Sequence, residues 1–449
     1  MAALVPTTPL QGSIDHSQFF ILEDADILKL IRDAFGPEFA RLKNAPPASE
    51  PSAAGSRATN NPSKSCQSPS RFIFGADYDE LNRTLVSILA LKWIMTDDYD
   101  SFTSSQAPRD KLRRESFAEL RELFSNGLKS AADIFALLVA TVVNDLGKDP
   151  SLEDDVAQIT GRYLLGCNHD MVIYEAAKAN MVPSLRLLDE IERKDVILGL
   201  HVGATLNIAQ LAQAENVPGS LASLLIMKGN KHAFDLKILE QILDVAGAAG
   251  HVDTSGAKPM NEPVFQAFLS TRKALIDVVT GDCSLRAAYD KVLLDRQSFL
   301  QREGFRPLSI EIPQERALLR LLTMGRTSDI TQAELFTDAF YALPEIVRQQ
   351  LINGLNVNGY DDGKAVVPYY MPALFSEVLQ DNVNDSMSAK NALIALMSFL
   401  ARVVGDTKSN PGQPGRVVER NVIFARDVIR SEAFRADPHI LDNVAIPMD

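Results

Sequence analysis

Cysteine is scarce in this chain of 449 residues, and the three that occur, Cys66, Cys167 and Cys283, lie more than 100 residues apart. That spacing excludes a zinc ribbon, a CxxC redox pair and a disulfide framework, and it fits a reducing cytosol. Basic charge is also short: 45 Lys and Arg against 58 Asp and Glu leave a net charge of -13. Such a chain is not expected to bind nucleic acid by neutralising phosphates, although a local basic pocket stays open. Long apolar runs are missing too. The longest, Ile134 to Val143, has ten residues including a Thr, well below the roughly 18–20 needed to cross a bilayer. It predicts a buried core helix and no membrane span. Met1 to Gly12 lacks a basic segment followed by an apolar one, a poor secretory leader, so a cytoplasmic protein is expected.

Apolar residues make up 46% of the chain, enough for a large core. From Tyr78 onward they recur at three- and four-residue spacing in successive windows, among them 79–96, 108–146, 155–180, 367–380 and 415–434. This predicts an all-α protein. An N-terminal helical segment, residues 1–43 with a helix over Asp24 to Leu42, precedes a Pro/Ser/Ala linker, 44–71, expected to be disordered. Residues 72–449 then form one large helical domain, with a C-terminal helical layer from about 305. Thr331 and Glu334 read as a capping box. The segment Pro307 to Pro313 alternates like a strand but is bracketed by prolines, so strand and extended connector both stand.

The most informative stretch is Leu137 to Pro150, an apolar helix ending in Asn144-Asp145 and followed by Leu-Gly147-Lys148-Asp149-Pro150. It resembles the His-Asp-Ile/Leu-Gly-Lys element of the HD-domain superfamily, whose His-Asp pair ligates a metal together with later histidines and a closing Asp. Here His169-Asp170 falls 24 residues past Asp145, His201 lies 32 beyond His169, and Asp244 lies 43 beyond His201. Ligands converging from several helices can hold a divalent ion, and His201 and Asp244 sit among small and apolar residues where a polar side chain needs a partner. The plain alternative is a helix C-terminus at Asn144-Asp145 and core polar groups satisfied by backbone. Asn144 replaces the superfamily's first His, and the preceding 108–130 segment has no His. That departure favours Mg²⁺, which prefers oxygen donors, over a histidine-rich transition-metal site. Asn144, Asp145, Asp149, His169, Asp170 and Asp244 are the candidate metal ligands. Asp145, at a helix end, is expected to reach an ion without carrying core packing.

A Mg²⁺ site among helices invites comparison with terpene cyclases. Their usual motifs are absent: Asp97-Asp98-Tyr99-Asp100 has its third acid one position early, and Asn384-Asp385-Ser-Met-Ser388 is followed by Ala392 where Glu belongs. Even so, Val-Asn144-Asp145-Leu-Gly-Lys, Asn168-His169-Asp170 and Ile197-Leu-Gly-Leu-His201-Val-Gly-Ala-Thr-Leu-Asn207 in one helical chain resemble the fungal α-humulene synthases of tropolone-sesquiterpenoid pathways, over most of residues 75–440. The resemblance implies a bundle of long helices around a metal and diphosphate cavity. It implies a cyclase that ionises farnesyl diphosphate, a prenyl diphosphate substrate, with Mg²⁺ and an essential lysine. Lys273 is the candidate lysine, with Arg272 assisting and Leu269 on the same helical face. Lys148, Lys258 and Lys291 are rivals. Asp145 and Lys273 would be catalytic, and His201 would join the substrate wall. Two other classes stay open: an HD-type metal-dependent phosphohydrolase or oxygenase, and a non-catalytic helical interaction protein.

Overall fold

The computed structural model describes residues 8–47, 67–381, 385–405 and 407–446. The protein is predominantly all-α, as expected. Its described residues form two compact units. The first comprises residues up to Thr205 together with Gly229–Phe268; the second comprises Leu206–Lys228 and the chain from Leu269 onward.

Local sequence accounts for the helix boundaries of the first unit. The Ala131–Val143 helix starts at a capping box, in which the Ser130 hydroxyl accepts from the Asp133 N–H and the Asp133 carboxylate accepts from the Ser130 N–H. From Phe135 to Val143 every residue is buried, so the run is the expected core helix. No single described helix is long and apolar enough to cross a membrane; only the pair Arg114–Gly127 and Ala131–Lys148 reaches that length, and it bends by 111° at its break.

Two expected helices are interrupted. The 108–146 window breaks between Gly127 and Ala131 because the Ser130 cap restarts the helix. The 155–180 window breaks after Thr160, where Gly161 takes a left-handed φ of 70° and ends the Pro150–Thr160 helix; Asn168 then caps His169–Lys178 by accepting from the Met171 N–H. Apolar spacing carries no information on such stops, whereas Gly and Asn do. In the expected linker, residues 48–66 lie outside the described residues, and its end is helical: Ser68 caps a Pro69–Phe74 helix, with Pro at the first turn.

In the second unit, two windows read as helix are partly strand. β1 (Asp362–Tyr369) and β2 (Gln413–Asn421) pair in parallel, with Ala365 opposite Val417 and Tyr369 opposite Asn421. Ala365, Val366 and Val367 are buried on both faces, and a short continuous apolar run looks alike as strand or helix. The segment from Pro307 is a connector to the helix that starts at Pro313. Asp329, rather than Thr331, caps the Ile330–Ala342 helix, its carboxylate accepting from the Gln332 N–H. The core of this unit holds a fully buried Arg320, whose guanidinium donates to the carbonyls of Ala214, Glu215, Asn216 and Leu355. It satisfies loop carbonyls that burial would otherwise leave unpaired.

Candidate functional site

Four elements of the first unit bring charged side chains to one place. The Asp79–Met95 helix supplies Glu80 and Arg83; the turn after Val143 supplies Asp145 and Lys148; the start of His169–Lys178 supplies His169 and Asp170; and Lys231–Gly247 supplies Lys237, Glu240 and Asp244. The last three lie at i, i+3 and i+7, on one helical face.

Glycines make the approach possible. A Cβ on Gly147 would stand 1.9 Å from the His169 carbonyl oxygen, so the Leu146–Lys148 turn lies against the backbone that begins the next helix. A Cβ on Gly247 would meet the Arg83 carbonyl oxygen at 2.2 Å, so Lys231–Gly247 crosses Asp79–Met95 at backbone contact, one turn from Asp244. Gly199 and Gly203 leave room for the Lys237 side chain, whose Nζ would lie 3.0 Å from a Cβ on Gly203.

Within the cluster, Lys148 Nζ lies 2.9 Å from both Asp145 Oδ1 and Glu80 Oε2, and Arg83 donates to the other Glu80 oxygen at 2.8 Å. Lys237 Nζ donates to Glu240 Oε2 at 2.6 Å, while Glu240 Oε1 is buried without a hydrogen-bond partner. His169 Nε2 is 3.5 Å from Asp170 Oδ1 and 3.8 Å from Asp145 Oδ1. No Lys or Arg among the described residues hydrogen-bonds to Asp170 or Asp244. Both are half-buried, with part of their surface open.

The titration behaviour follows from this crowding. Burial alone would raise Asp145, but Lys148, Arg83 and His169 hold its carboxyl well below the usual range. Burial raises Asp244, and the Asp145 charge adds to it, against the pull of Arg83, Lys148 and Lys237. Asp170 is raised mainly by burial, despite His169 and Lys237. Glu240 is pushed up to about 7 by burial, despite the neighbouring Lys237. The cluster thus sets five carboxylates against three fixed cations and His169, a surplus of negative charge in a poorly solvated place.

The chain belongs to DUF6829, a family of unknown function. The match spans residues 28–441. No curated protein and no solved structure matches it.

Of the residues expected at a site in this DUF6829 protein, Asp145, His169, Asp170 and Asp244 come together. Asp145 is only 9% exposed at its side chain and is ion-paired, so it carries polar packing, contrary to the expectation that it would not. Asn144 is buried at the end of the same helix. Asp149 is otherwise engaged: it caps Pro150–Thr160 by accepting from the Ser151 N–H and pairs with Arg41 at 3.0 Å. His201 stacks on Tyr174, ring centres 4.5 Å apart, and burial together with Lys178 lowers its pKa; no member of the cluster is among its electrostatic partners. Leu269, Arg272 and Lys273 fall in the second unit, on Glu262–Thr280, where Leu269 is buried and Lys273 is exposed. Lys291 pairs with Asp277 on the surface. Sequence reading missed Glu80, Arg83, Lys237 and Glu240. The available signal was their position in otherwise apolar helices, where Lys237 stands between Leu236 and Ile238 and Glu240 follows Leu239.

Among the described residues, no three His, Cys, Asp or Glu side chains are already grouped as a metal cage. The charge nonetheless fits a divalent cation: Asp170 and Asp244 have no Lys or Arg bonded to them, and their oxygens suit Mg²⁺.

A second polar junction ties the Lys231–Gly247 helix to Ala131–Val143 and Glu190–Thr205. His232 Nδ1 lies 2.7 Å from Asp195 Oδ2, and its Nε2 lies 3.0 Å from Asp133 Oδ1; Asn230 also donates to Asp195, at 2.7 Å. Burial would lower the His232 pKa, but the two carboxylates raise it. A folded-state pKa above the unfolded value gives stability that is fully present below the unfolded pKa, about 6.5, and is lost as pH rises through the folded one. His232→Gln is therefore expected to melt below wild type at pH 6, with the gap narrowing by pH 9. Thermal melts at both values check this, and a gap that is constant or widens with pH contradicts it.

Proposed function

We propose that the charged cluster of the first unit binds the diphosphate of farnesyl diphosphate with Mg²⁺, and that the protein is a sesquiterpene cyclase forming a humulene-type hydrocarbon. One observation carries the reading. Asp145, Lys148, His169 and Asp170, from two of the three segments that carry the resemblance, lie in one charged cluster with Asp244, Arg83 and Lys237. Asp170 and Asp244, with Asp145 beside them, are the residues that would hold Mg²⁺, and the ion would act as a Lewis acid on the diphosphate.

The chain's own cations do the remaining electrostatic work. Breaking the allylic C–O bond sends its electron pair to the diphosphate, whose developing charge needs preorganised positive partners away from bulk water. Lys148, a half-buried compact ammonium among the carboxylates, is better placed for this than the exposed Lys273, and the buried Lys237 adds longer-range charge. The allylic cation then closes its ring and loses a proton, which leaves with the diphosphate.

His169 beside two carboxylates favours a second reading, an HD-type metal-dependent phosphohydrolase or oxygenase. Incubating the full chain with farnesyl diphosphate and Mg²⁺ separates the two. The cyclase reading expects a fifteen-carbon hydrocarbon above a boiled control, with one diphosphate released per turnover. No hydrocarbon, with phosphoester cleavage or tightly held Fe, Mn or Zn, transfers the site to the second reading. Absence of turnover under all these conditions leaves an interaction protein.

A further inference from the structure

A cavity of about 470 Å³ lies on the other side of the turn that carries Asp145 and Lys148, wholly within the first unit. Leu146 and Asp149 of that turn line it, together with Glu38 and Arg41 of the Gly36–Leu42 helix and Asp155. Leu152, Met181 and Val182 give it an apolar side, and Asn44 and Ser151 add further polar wall. Such a volume suits a small organic ligand rather than an ion or a macromolecule.

The polar groups decide its chemistry. Arg41 spends its guanidinium on two carboxylates, donating to Asp149 at 3.0 Å and to Asp155 at 2.6 Å. Glu38 is 2% exposed; its Oε1 accepts from the Ser184 N–H at 2.8 Å, and its other oxygen takes no hydrogen bond from the described residues. Three carboxylates therefore face the cavity against one cation that is already paired. Glu38 lines the cavity, and a positively charged donor there would supply that oxygen's hydrogen bond and offset the charge surplus.

We infer that this cavity is a binding site for an organic amine with an apolar tail, its ammonium group held by Glu38 and its tail against Leu152, Met181 and Val182. The site is independent of the diphosphate reading, since it shares no side chain with the proposed substrate contacts.

Hexylammonium chloride is the probe, with hexanoate and hexanol as tail-matched controls, titrated into the full chain by calorimetry. The expected result is saturable binding of hexylammonium at least tenfold tighter than that of either control. Glu38→Gln weakens it at least tenfold, and Asp155→Asn, at the open lip, about threefold by removing a longer-range charge. Should Glu38→Gln fail to fold, Asp155→Asn decides. Hexanoate binding as well as hexylammonium, binding that neither variant changes, or no binding at all each overturns the inference.

Discussion

Gly147→Ala is expected to destabilise the protein and to empty the candidate site of its geometry. The added methyl would overlap the His169 carbonyl oxygen, a backbone atom at the start of a helix that cannot swing aside as a side chain does. The Leu146–Lys148 turn must then part from His169–Lys178, moving Asp145 and Lys148 away from His169 and Asp170. Overpacking against backbone costs about 3 kcal/mol, a melting-temperature loss of roughly 6–12 °C for a cooperative unit of about 150–250 residues, the size of the first unit. Gly12→Ala is the control, because nothing lies within 4 Å of its added methyl. Thermal melts of the two variants test this: a Gly147→Ala melt equal to that of Gly12→Ala contradicts the packing described.

Lys148→Met carries the second large effect. Its ammonium is the hydrogen-bonded cation of Asp145 and also bridges to Glu80. Without it, Asp145 keeps its charge in a buried setting with only Arg83 and His169 nearby, and breaking a buried pair from one side costs about 3–5 kcal/mol. Since Lys148 holds the Asp145 pKa down, the stability it confers is present above the unfolded carboxylate value, about 3.9, and fades as pH falls. The loss in Lys148→Met is therefore full at neutral pH and shrinks only below about pH 4. Denaturant titrations at pH 7 and pH 3 measure both values; an equal loss at the two would assign the effect to packing alone.

Much of the helical architecture was legible from apolar spacing, because a helix that buries one face must repeat its apolar residues every three or four positions. Ser130, Gly161 and Asn168 show where that signal fails: helix ends are decided by single caps and left-handed glycines that leave the apolar rhythm unbroken. β1 was missed for a related reason, since Ala365, Val366 and Val367 form a run too short to reveal a period. The acidic half of the site was legible because Asp145, His169, Asp170 and Asp244 are chemically conspicuous in apolar surroundings. Of its basic half only Lys148 was, in the element after Asp145. Arg83 and Lys237 look like ordinary helix-surface cations until Gly247 and Gly203 are seen to bring their helices against neighbours. Asp149 and His201 were drawn in by spacing along the chain, but a helix cap and an aromatic partner claim them in the fold.

In the proposed function the diphosphate sits at the charged cluster of the first unit, gripped by Lys148. Calorimetric titration of an unreactive farnesyl thiodiphosphate into the full chain with Mg²⁺ tests it most directly, using wild type, Lys148→Met and Lys273→Ala, each confirmed folded by its melt. Saturable binding to wild type is expected, with a ten- to hundredfold loss in Lys148→Met, of the order of a charge-assisted hydrogen bond, and unchanged affinity in Lys273→Ala. Loss of affinity in Lys273→Ala with wild-type affinity in Lys148→Met, or no binding to any of the three, would contradict it.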